Sequence, residues 1–350
     1  MVIEQLTKEE ENKYNCFIES SIKTSFEYTL HWKNILEKNF GFKGMHIISK
    51  DTDGNINGTL PLFLAKSIFG TRMVSTPYAV YTGILAENEA VKKELLAFAC
   101  NLSSKEEVDF MEIREEKESD YNNGFQMKKK VFNFSLNLTP NLEEIWKKLP
   151  KSSVRWGIKK AQSSNLSWSC GHSELDLNQF YKMFLQTRKI RGVPAYPYSY
   201  FKDIIEHFKE KVCIYTAYLS NKPVASIFLI KHKKEVRYAF AGAIHKKEIM
   251  QLQPYHFLLW EAIKDACKEG FTKFNFGGAT LDTNDGGLYE FKKKWADEIV
   301  EIPSYFYLNR IKVLPMNENK FMFKLATIVW KRLPLSWINF LSPFVIKQFV

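Results

Sequence analysis

Cysteine is scarce in this chain. Its 350 residues include five (Cys16, Cys100, Cys170, Cys213, Cys267), an odd number with no Cys-x-x-Cys spacing. That excludes a disulfide framework and a structural zinc ribbon, and it fits a reducing compartment. Cys170-Gly171-His172 is the one close Cys/His pair. With no further ligands at useful spacing, it reads as a strand end and a turn. Long apolar runs are also missing, since nothing approaches the ~18 residues that a transmembrane helix needs. The N-terminus carries Glu4, Lys8, Glu9, Glu10 and Glu11 instead of an apolar segment. No secretory signal is read there, and a cytoplasmic protein is expected. Gly-x-Ser-x-Gly, Walker and His-Glu-x-x-His motifs are all absent, which excludes the chemistries they serve. Asp282-Thr283-Asn284-Asp285-Gly286 begins like a calcium loop, but it places Gly286 at the fifth ligand position and Lys293 at the twelfth. Asp51–Asn57 likewise has no closing Glu, so neither stretch is a calcium site.

What is present is a globular composition, with 45% apolar and 25% charged residues. The length suits two domains, each with its own core. A net charge of +11 points to an anionic partner: nucleic acid, a phosphorylated metabolite or a membrane surface.

Pattern and turn chemistry predict a first mixed lobe over residues 1–150. Helices fall near Glu9–Ser20, Leu30–Asn39 and Ala90–Ser103, and strands at Met45–Ser49, Thr59–Ala65, Val108–Ile113 and Val131–Leu138. Asp51–Asn55 supplies the turn for a hairpin between the first two strands. A second lobe, 151–310, opens after the short helix Leu142–Leu149, which Pro150 ends. A basic helix follows from Ser152 to about Ser164, with Ser152 or Ser153 as its N-cap, then helices near Asp176–Arg191 and Tyr198–Lys211. Strands Val212–Leu219, Pro223–His232 and Glu235–Ala243 lead to a helix Pro254–Glu269, a strand Phe271–Phe276, a helical segment near Gly287–Trp295 and a strand near Ile302–Tyr307. Strand–strand–strand–helix–strand–helix–strand is the order of the acetyltransferase-like (GNAT) core, and the first lobe follows it loosely. The expected fold is therefore α/β (mixed): two GNAT-like lobes in tandem with a cleft between them, plus a C-terminal amphipathic helical tail. That tail, 311–350, sets six basic residues against one acid, Glu318, among many aromatics. It fits either an in-plane membrane anchor or a terminal helix pair docked on the core.

The region richest in candidate chemistry is Gln251–Trp295. A strand that stops at Gly277-Gly278 lets backbone amides approach a ligand closely. Tyr289, Phe291 and Lys292 follow just beyond, suiting an extended, anionic substrate, although Tyr289 and Phe291 equally suit core contacts. Arg155, Lys159 and Lys160 stand at i, i+4 and i+5, the first two on one helix face. They fit a diphosphate or nucleic-acid backbone, or a solvated basic surface. Before the helix at Pro254, Gln251–His256 occupies the place of a coenzyme A phosphate turn. Pro254 removes an amide there, and His256 fills the space that a small residue would leave. His256 could then line the acceptor site with Tyr255, move a proton, or act as a structural hydrogen-bonder. Asp285 could orient an amine near Lys292, or serve a turn.

Four segments together resemble the Fem-type (FemAB-like) branch of the acetyltransferase superfamily. They are Ser153–Ala161, Gln253–Glu261, Phe274–Gly278 and Phe291–Trp295. The likeness spans about Leu142–Tyr307. The family's basic helix with an early Arg and a later basic-basic-Ala is met by Arg155, Lys159, Lys160 and Ala161, and its Phe-Lys element by Phe291-Lys292. The coiled-coil arm of some members is missing here. The resemblance implies an acyl-transfer reaction to an amine, with a phosphorylated envelope precursor as acceptor. The expected donor is aminoacyl-tRNA or acyl-CoA, with tRNA a partner in the first case, and no bound cofactor or metal is expected. It also assigns Arg155 and Lys159 to acceptor phosphate, and Lys292 with Phe291 to the donor's terminal nucleotide or the transferred carbonyl. Two other readings stand beside it: an acyl-CoA-dependent N-acyltransferase of an amino sugar in polysaccharide biosynthesis, and a non-catalytic membrane-surface adaptor. Residues 321–350 would give peripheral contact with an anionic membrane, on its inner face.

Overall fold

The computed structural model describes residues 1–121, 124–281, 286–314 and 320–349. The chain divides into two units. Unit 1 comprises Met1–Val131, Val300–Glu318 and Phe344–Val350; unit 2 comprises Phe132–Ile299 and Asn319–Pro343.

Unit 1 begins with β1 (Val2–Gln5), α1 (Glu11–Ser20), α2 (Leu30–Phe40), β2 (Lys43–Gly44), β3 (Ile47–Lys50) and β4 (Ile56–Leu60). It continues with β5 (Phe63–Ser67), β6 (Gly70–Val74), β7 (Leu85–Ala86), α3 (Glu89–Lys105), β8 (Phe110–Arg114) and the first part of β9 (Phe125–Asn137). The expected hairpin is present as β3 against β4, with Ile47 opposite Leu60. The expected strand Thr59–Ala65 is two strands. Pro61 has no N–H to give to a ladder, so β4 ends at Leu60 and β5 resumes two residues later. β5 then turns through Ser67–Gly70 into β6, a hairpin that the sequence reading missed. α3 is capped by the Asn88 side chain, which accepts from the Val91 amide. It crosses over to make β6 and β8 a parallel pair, Arg72 opposite Phe110 to Val74 opposite Glu112. Leu95, Ala99 and Leu102 of α3 share a core with Met73, Met111 and Ile113.

Unit 2 contains α4 (Leu142–Lys148), a π-helical turn Lys151–Arg155, α5 (Trp156–Gln162), β10 (Leu166–Gly171), α6 (Glu174–Arg191) and α7 (Tyr198–Phe208). Then come β11 (Val212–Leu219), β12 (Lys222–His232), β13 (Glu235–Ala243), α8 (Lys247–Met250), α9 (Pro254–Lys268), β14 (Lys273–Thr280) and α10 (Gly286–Lys293). β15 (Glu298–Leu308) starts here and runs on into unit 1, where Tyr305 pairs with Ile113 of β8. The basic helix expected from Ser152 is irregular at its start. Pro150 takes the N-cap position and neither serine caps it. Strands run in the order β10-β11-β12-β13-β14-β9; the first three pairs are antiparallel and β13–β14 is parallel. Side chains of β12 alternate between faces. Ala225, Ile227 and Leu229 join Leu258 and Ala262 of α9, while Phe228 meets Phe180 and Phe201 at 5.4 and 5.5 Å.

The tail forms α11 (Lys320–Arg332) and α12 (Leu335–Ile346), separated at Pro334. Its inner side is docked. In unit 2 the Tyr181 hydroxyl donates to Asn339 Oδ1 at 2.8 Å, and the Ala195 amide donates to Ser342 Oγ at 3.0 Å. In unit 1 the Tyr78 hydroxyl donates to the Ile346 carbonyl at 3.2 Å. Among the described residues no helix is long and apolar enough to cross a membrane.

Candidate active site

Parallel pairing between β13 and β14 stops after three steps: Glu235–Lys273, Val236–Phe274 and Arg237–Asn275. Both strands continue, to Ala243 and Thr280, so their ends part and a wedge opens inside unit 2. The departure has a local cause. Gly277 has φ +73°, a left-handed conformation that glycine adopts without strain, and its amide donates to Asn275 Oδ1 at 2.8 Å, within its own strand. Asn275 is held in turn, its Nδ2 donating to Glu235 Oε2 at 3.1 Å. Glu235 Oε1 accepts from Arg237 Nε at 3.0 Å and Nη2 at 2.9 Å. The sequence reading passed over Asn275, Glu235 and Arg237. The available signal was two opposite charges at i and i+2, on one face of an otherwise apolar strand.

Lys292 reaches this wedge from α10. It is only 7% exposed, and its Nζ donates to the Gly278 carbonyl at 2.7 Å. A β-carbon at Gly277 would lie 3.7 Å from the same Nζ. Gly277, Gly278 and Lys292 are thus brought together, as the sequence suggested. A buried ammonium beside the end of a parallel strand can offer charge to an oxyanion or a phosphate where water screens little.

The rest of α10 packs. Tyr289 sets its ring edge-on to Phe132 and Phe134 at 5.3 and 5.2 Å, in the arrangement of a core aromatic. Phe291 lies 5.5 Å from the His256 ring and Trp295 lies 5.7 Å from it. On its other side His256 abuts α5, where a β-carbon on Gly157 would come within 2.8 Å of the imidazole. Burial, then the nearby Lys294 charge, lowers the His256 pKa to about 4, so the ring is neutral in the physiological range. Burial pushes the Tyr255 hydroxyl up to about 12, against smaller opposing effects of Arg191 and a hydrogen bond with Thr187.

Thr187 is a joint that sequence reasoning did not reveal. Its hydroxyl donates to the Met183 carbonyl and accepts from the Ala243 amide, both at 3.0 Å. His245 Nε2 lies 3.0 Å from the same oxygen.

The turn before α9 is filled by its own backbone. The amides of Ile249 and Met250 donate to the Lys246 carbonyl, that of Gln251 to Lys247, that of Leu252 to Ile249 and that of Gln253 to Met250. Pro254 has no amide, and that of Phe257 donates to Gln253. At most two amides, of Tyr255 and His256, remain for a ligand in this first turn.

The basic helix divides its cations. Arg155 is half-buried, and its enclosed Nε has no hydrogen-bond acceptor among the described residues. Lys159 faces solvent. Lys160 stands 4.9 Å over the Trp156 ring. The shared face expected for Arg155 and Lys159 is therefore not one surface, because Arg155 turns inward and Lys159 does not. Asp285 lies outside the described residues. Among the described residues no group of His, Cys, Asp and Glu could hold a metal ion.

A family model for the acetyltransferase (GNAT) domain matches residues 151–293. That match spans 143 of the 350 residues, all of them in unit 2. A crystal structure of FemX superimposes with a TM-score of 0.70 at 14% identity, covering 93% of this chain and 100% of that one. The C-terminal domain of a putative lysylphosphatidylglycerol synthetase from Agrobacterium fabrum gives 0.55 at 13% identity, over 91% and 95% of the two chains. A tandem GNAT protein from the clavulanic acid biosynthesis pathway gives 0.54 at 9%, over 87% and 97%. No curated protein sequence matches. At such identities the likeness is one of fold, and it bears out the mixed α/β architecture with GNAT-like folds in tandem.

Proposed function

We propose that unit 2 transfers an acyl or aminoacyl group to an amine of a phosphorylated cell-envelope precursor, with aminoacyl-tRNA as donor. The observation that carries this is the wedge between β13 and β14, with Lys292 Nζ held 2.7 Å from the Gly278 carbonyl at its mouth. The amine nitrogen attacks the ester carbonyl carbon, and the new C–N bond replaces the C–O bond to the donor's ribose. The proton shed by nitrogen passes to the departing ribose oxygen or to solvent. Such a reaction needs positioning and oxyanion stabilisation, with no covalent enzyme intermediate.

Lys292 is assigned to the developing oxyanion or the donor's terminal phosphate, and Gly277 and Gly278 to close approach of the donor. Phe291 and Tyr255 line the site. Arg155 is assigned to acceptor phosphate, since its enclosed Nε meets no acceptor among the described residues. Lys159 and Lys160 add charge at the surface. Neutral His256 is in the form that accepts a proton, and its low affinity suits a relay to water rather than a store. Asp285 remains the candidate to orient the amine.

The filled turn before α9 favours charged tRNA over acyl-CoA. A pyrophosphate there would meet carbonyl-bonded amides and a proline. The putative lysylphosphatidylglycerol synthetase domain, whose name ties it to an aminoacylated lipid, supports an envelope acceptor. We place the protein in the cytoplasm, with its tail against the inner face of the membrane. The deciding experiment compares binding of aminoacyl-tRNA and acetyl-CoA by purified protein, repeated with Lys292→Ala. Selective tRNA binding that weakens in the variant is expected. Selective acetyl-CoA binding would move the acceptor search to amino sugars, and binding of neither would replace the enzyme reading with the adaptor.

A further inference from the structure

β10 and β11 bring two of the five cysteines together. Cys170 lies opposite Tyr215, and Gly171 lies opposite Ile214. Cys213 is therefore the diagonal neighbour of Cys170, on the same face of the sheet. On β12, Leu229 lies opposite Cys213, and Lys231 follows two residues on, again on that face. All three side chains belong to unit 2.

The two thiols have different surroundings. Cys170 is exposed on β10, at the edge of the sheet and one residue from the end of its strand. Cys213 is buried in the apolar cluster that it shares with α9. Lys231 Nζ is held beside the pair, donating to Glu269 Oε1 at 2.8 Å and Oε2 at 2.6 Å. On the same face the Tyr215 hydroxyl donates to Asp265 Oδ2 at 2.9 Å. A hydrogen bond from Cys170, joined by the charge of Lys231, outweighs burial and Glu269 and lowers the Cys213 thiol. The same hydrogen bond, then burial, raises Cys170, so the exposed sulfur keeps its proton. Burial alone raises Cys100 and Cys267.

We infer that Cys170 and Cys213 are an oxidation-sensitive pair that closes into a reversible disulfide when hydrogen peroxide reaches it. The Cys213 thiolate is the nucleophile. Its sulfur attacks one peroxide oxygen, the O–O bond breaks, hydroxide leaves and Cys213 becomes a sulfenic acid. The Cys170 sulfur then attacks the sulfenic sulfur, and its proton leaves with the displaced hydroxyl as water. Each sulfur loses one electron and the peroxide gains two. Lys231 stabilises the thiolate at the start and keeps Glu269 as its partner afterwards. A diagonal pair stands slightly wide for a bridge, and the free end of β10 supplies the movement. In a reducing compartment such a bridge is transient, which agrees with a chain that has no disulfide framework. The step uses neither acyl donor nor acceptor, so it stands apart from the transfer reaction.

The test exposes the full chain to hydrogen peroxide at neutral pH, blocks the remaining thiols and maps the digested peptides by mass spectrometry. The Cys170 and Cys213 peptides of wild type should be linked, lighter by two hydrogens, and should separate in dithiothreitol. Cys170→Ser, at an exposed position, should leave Cys213 as a sulfenic acid that dimedone traps. Lys231→Met should slow oxidation of Cys213 about tenfold at neutral pH and much less in alkali, where the thiol ionises unaided. Cys16, exposed on α1 in unit 1, is the internal standard and should oxidise about tenfold more slowly than Cys213. Unlinked peptides in wild type overturn the inference, as does a bridge from Cys213 to Cys267. So does dimedone capture at Cys16 as fast as at Cys213, or an unchanged rate in Lys231→Met. The wild-type map needs no variant to fold, and no arm reads acyl transfer, so neither conclusion falls with the other.

Discussion

The two units place a helix between parallel strands in the same way, yet only one leaves the ends of those strands open. In unit 2, β13 and β14 part after Arg237 and Asn275. In unit 1, the matching pair β6 and β8 is followed by a loop that fills the gap. The Ser75 amide donates to the Glu112 carbonyl at 2.9 Å, the Thr82 amide to the Arg114 carbonyl at 3.1 Å, and Arg114 Nη1 to the Ala79 carbonyl at 2.9 Å. Where unit 2 sets a lysine beside Gly277, unit 1 sets the Glu115 carboxylate against Gly83, so close that a β-carbon on that glycine would collide with it. Glu115 also accepts from the Tyr121 hydroxyl and the Ile84 amide. The same topology therefore serves two ends, because a few residues after the parallel pair decide whether the gap binds a ligand or the chain itself.

That contrast can be broken at several points. Lys292→Ala should lower transfer by roughly 100-fold or more, the scale of losing one oxyanion donor. Lys292→Met should do the same with a change in unfolding midpoint of only a few degrees, read by calorimetry; equal loss after any change at Glu115 would contradict the assignment to unit 2. Gly277→Val forces a β-branched residue to φ +73° and should cost about 1–3 kcal/mol of stability along with most activity. Denaturant unfolding beside single-turnover transfer separates the two losses. Arg155→Ala should raise KM for the phosphorylated acceptor about tenfold with kcat nearly kept, and Arg155→Lys should restore part of it.

Two pH effects are smaller and of opposite sign. The neutral His256 ring is favoured by folding, so the unfolded chain takes up a proton below pH 6.5 that the folded chain refuses until about pH 4. Stability should fall as pH drops through that window, and His256→Phe should flatten the slope. Glu115 is pushed above the ordinary carboxylate range by burial, so the unfolded chain ionises it first. Its contribution declines as pH rises past that range. Glu115→Gln should be at least as stable as wild type at pH 7 and should leave transfer untouched.

Much of this was legible in the sequence, and what was not had a physical reason. β11 and β13 fall on the expected residues because charged turns bound them on both sides. Gly277-Gly278 and Phe291-Lys292 stood out because local conformation and local order define them. The hairpin after Pro61 was hidden, since Phe63–Val74 reads as one broken apolar stretch until the Ser67–Gly70 turn is seen. The Asn275 end of the Arg237–Glu235–Asn275 relay could not be read, because that contact exists only once β13 and β14 are side by side. Thr187 is the same case: nothing in α6 announces that its hydroxyl will receive the Ala243 amide. Chemistry carried by one segment is visible in a sequence, and chemistry carried by register between segments is not.

β15 also fixes an order of events during synthesis. Unit 1 takes its first 131 residues from the start of the chain, but the strand that pairs with β8 comes from Val300 onward. On a ribosome adding about 5–20 residues per second, that edge of β8 waits roughly 10 to 30 s while unit 2 emerges. An unpaired strand edge is a template for the wrong neighbour. The nascent chain therefore passes through a vulnerable interval that the finished protein no longer shows, and a release at residue 299 would leave that interval without an end.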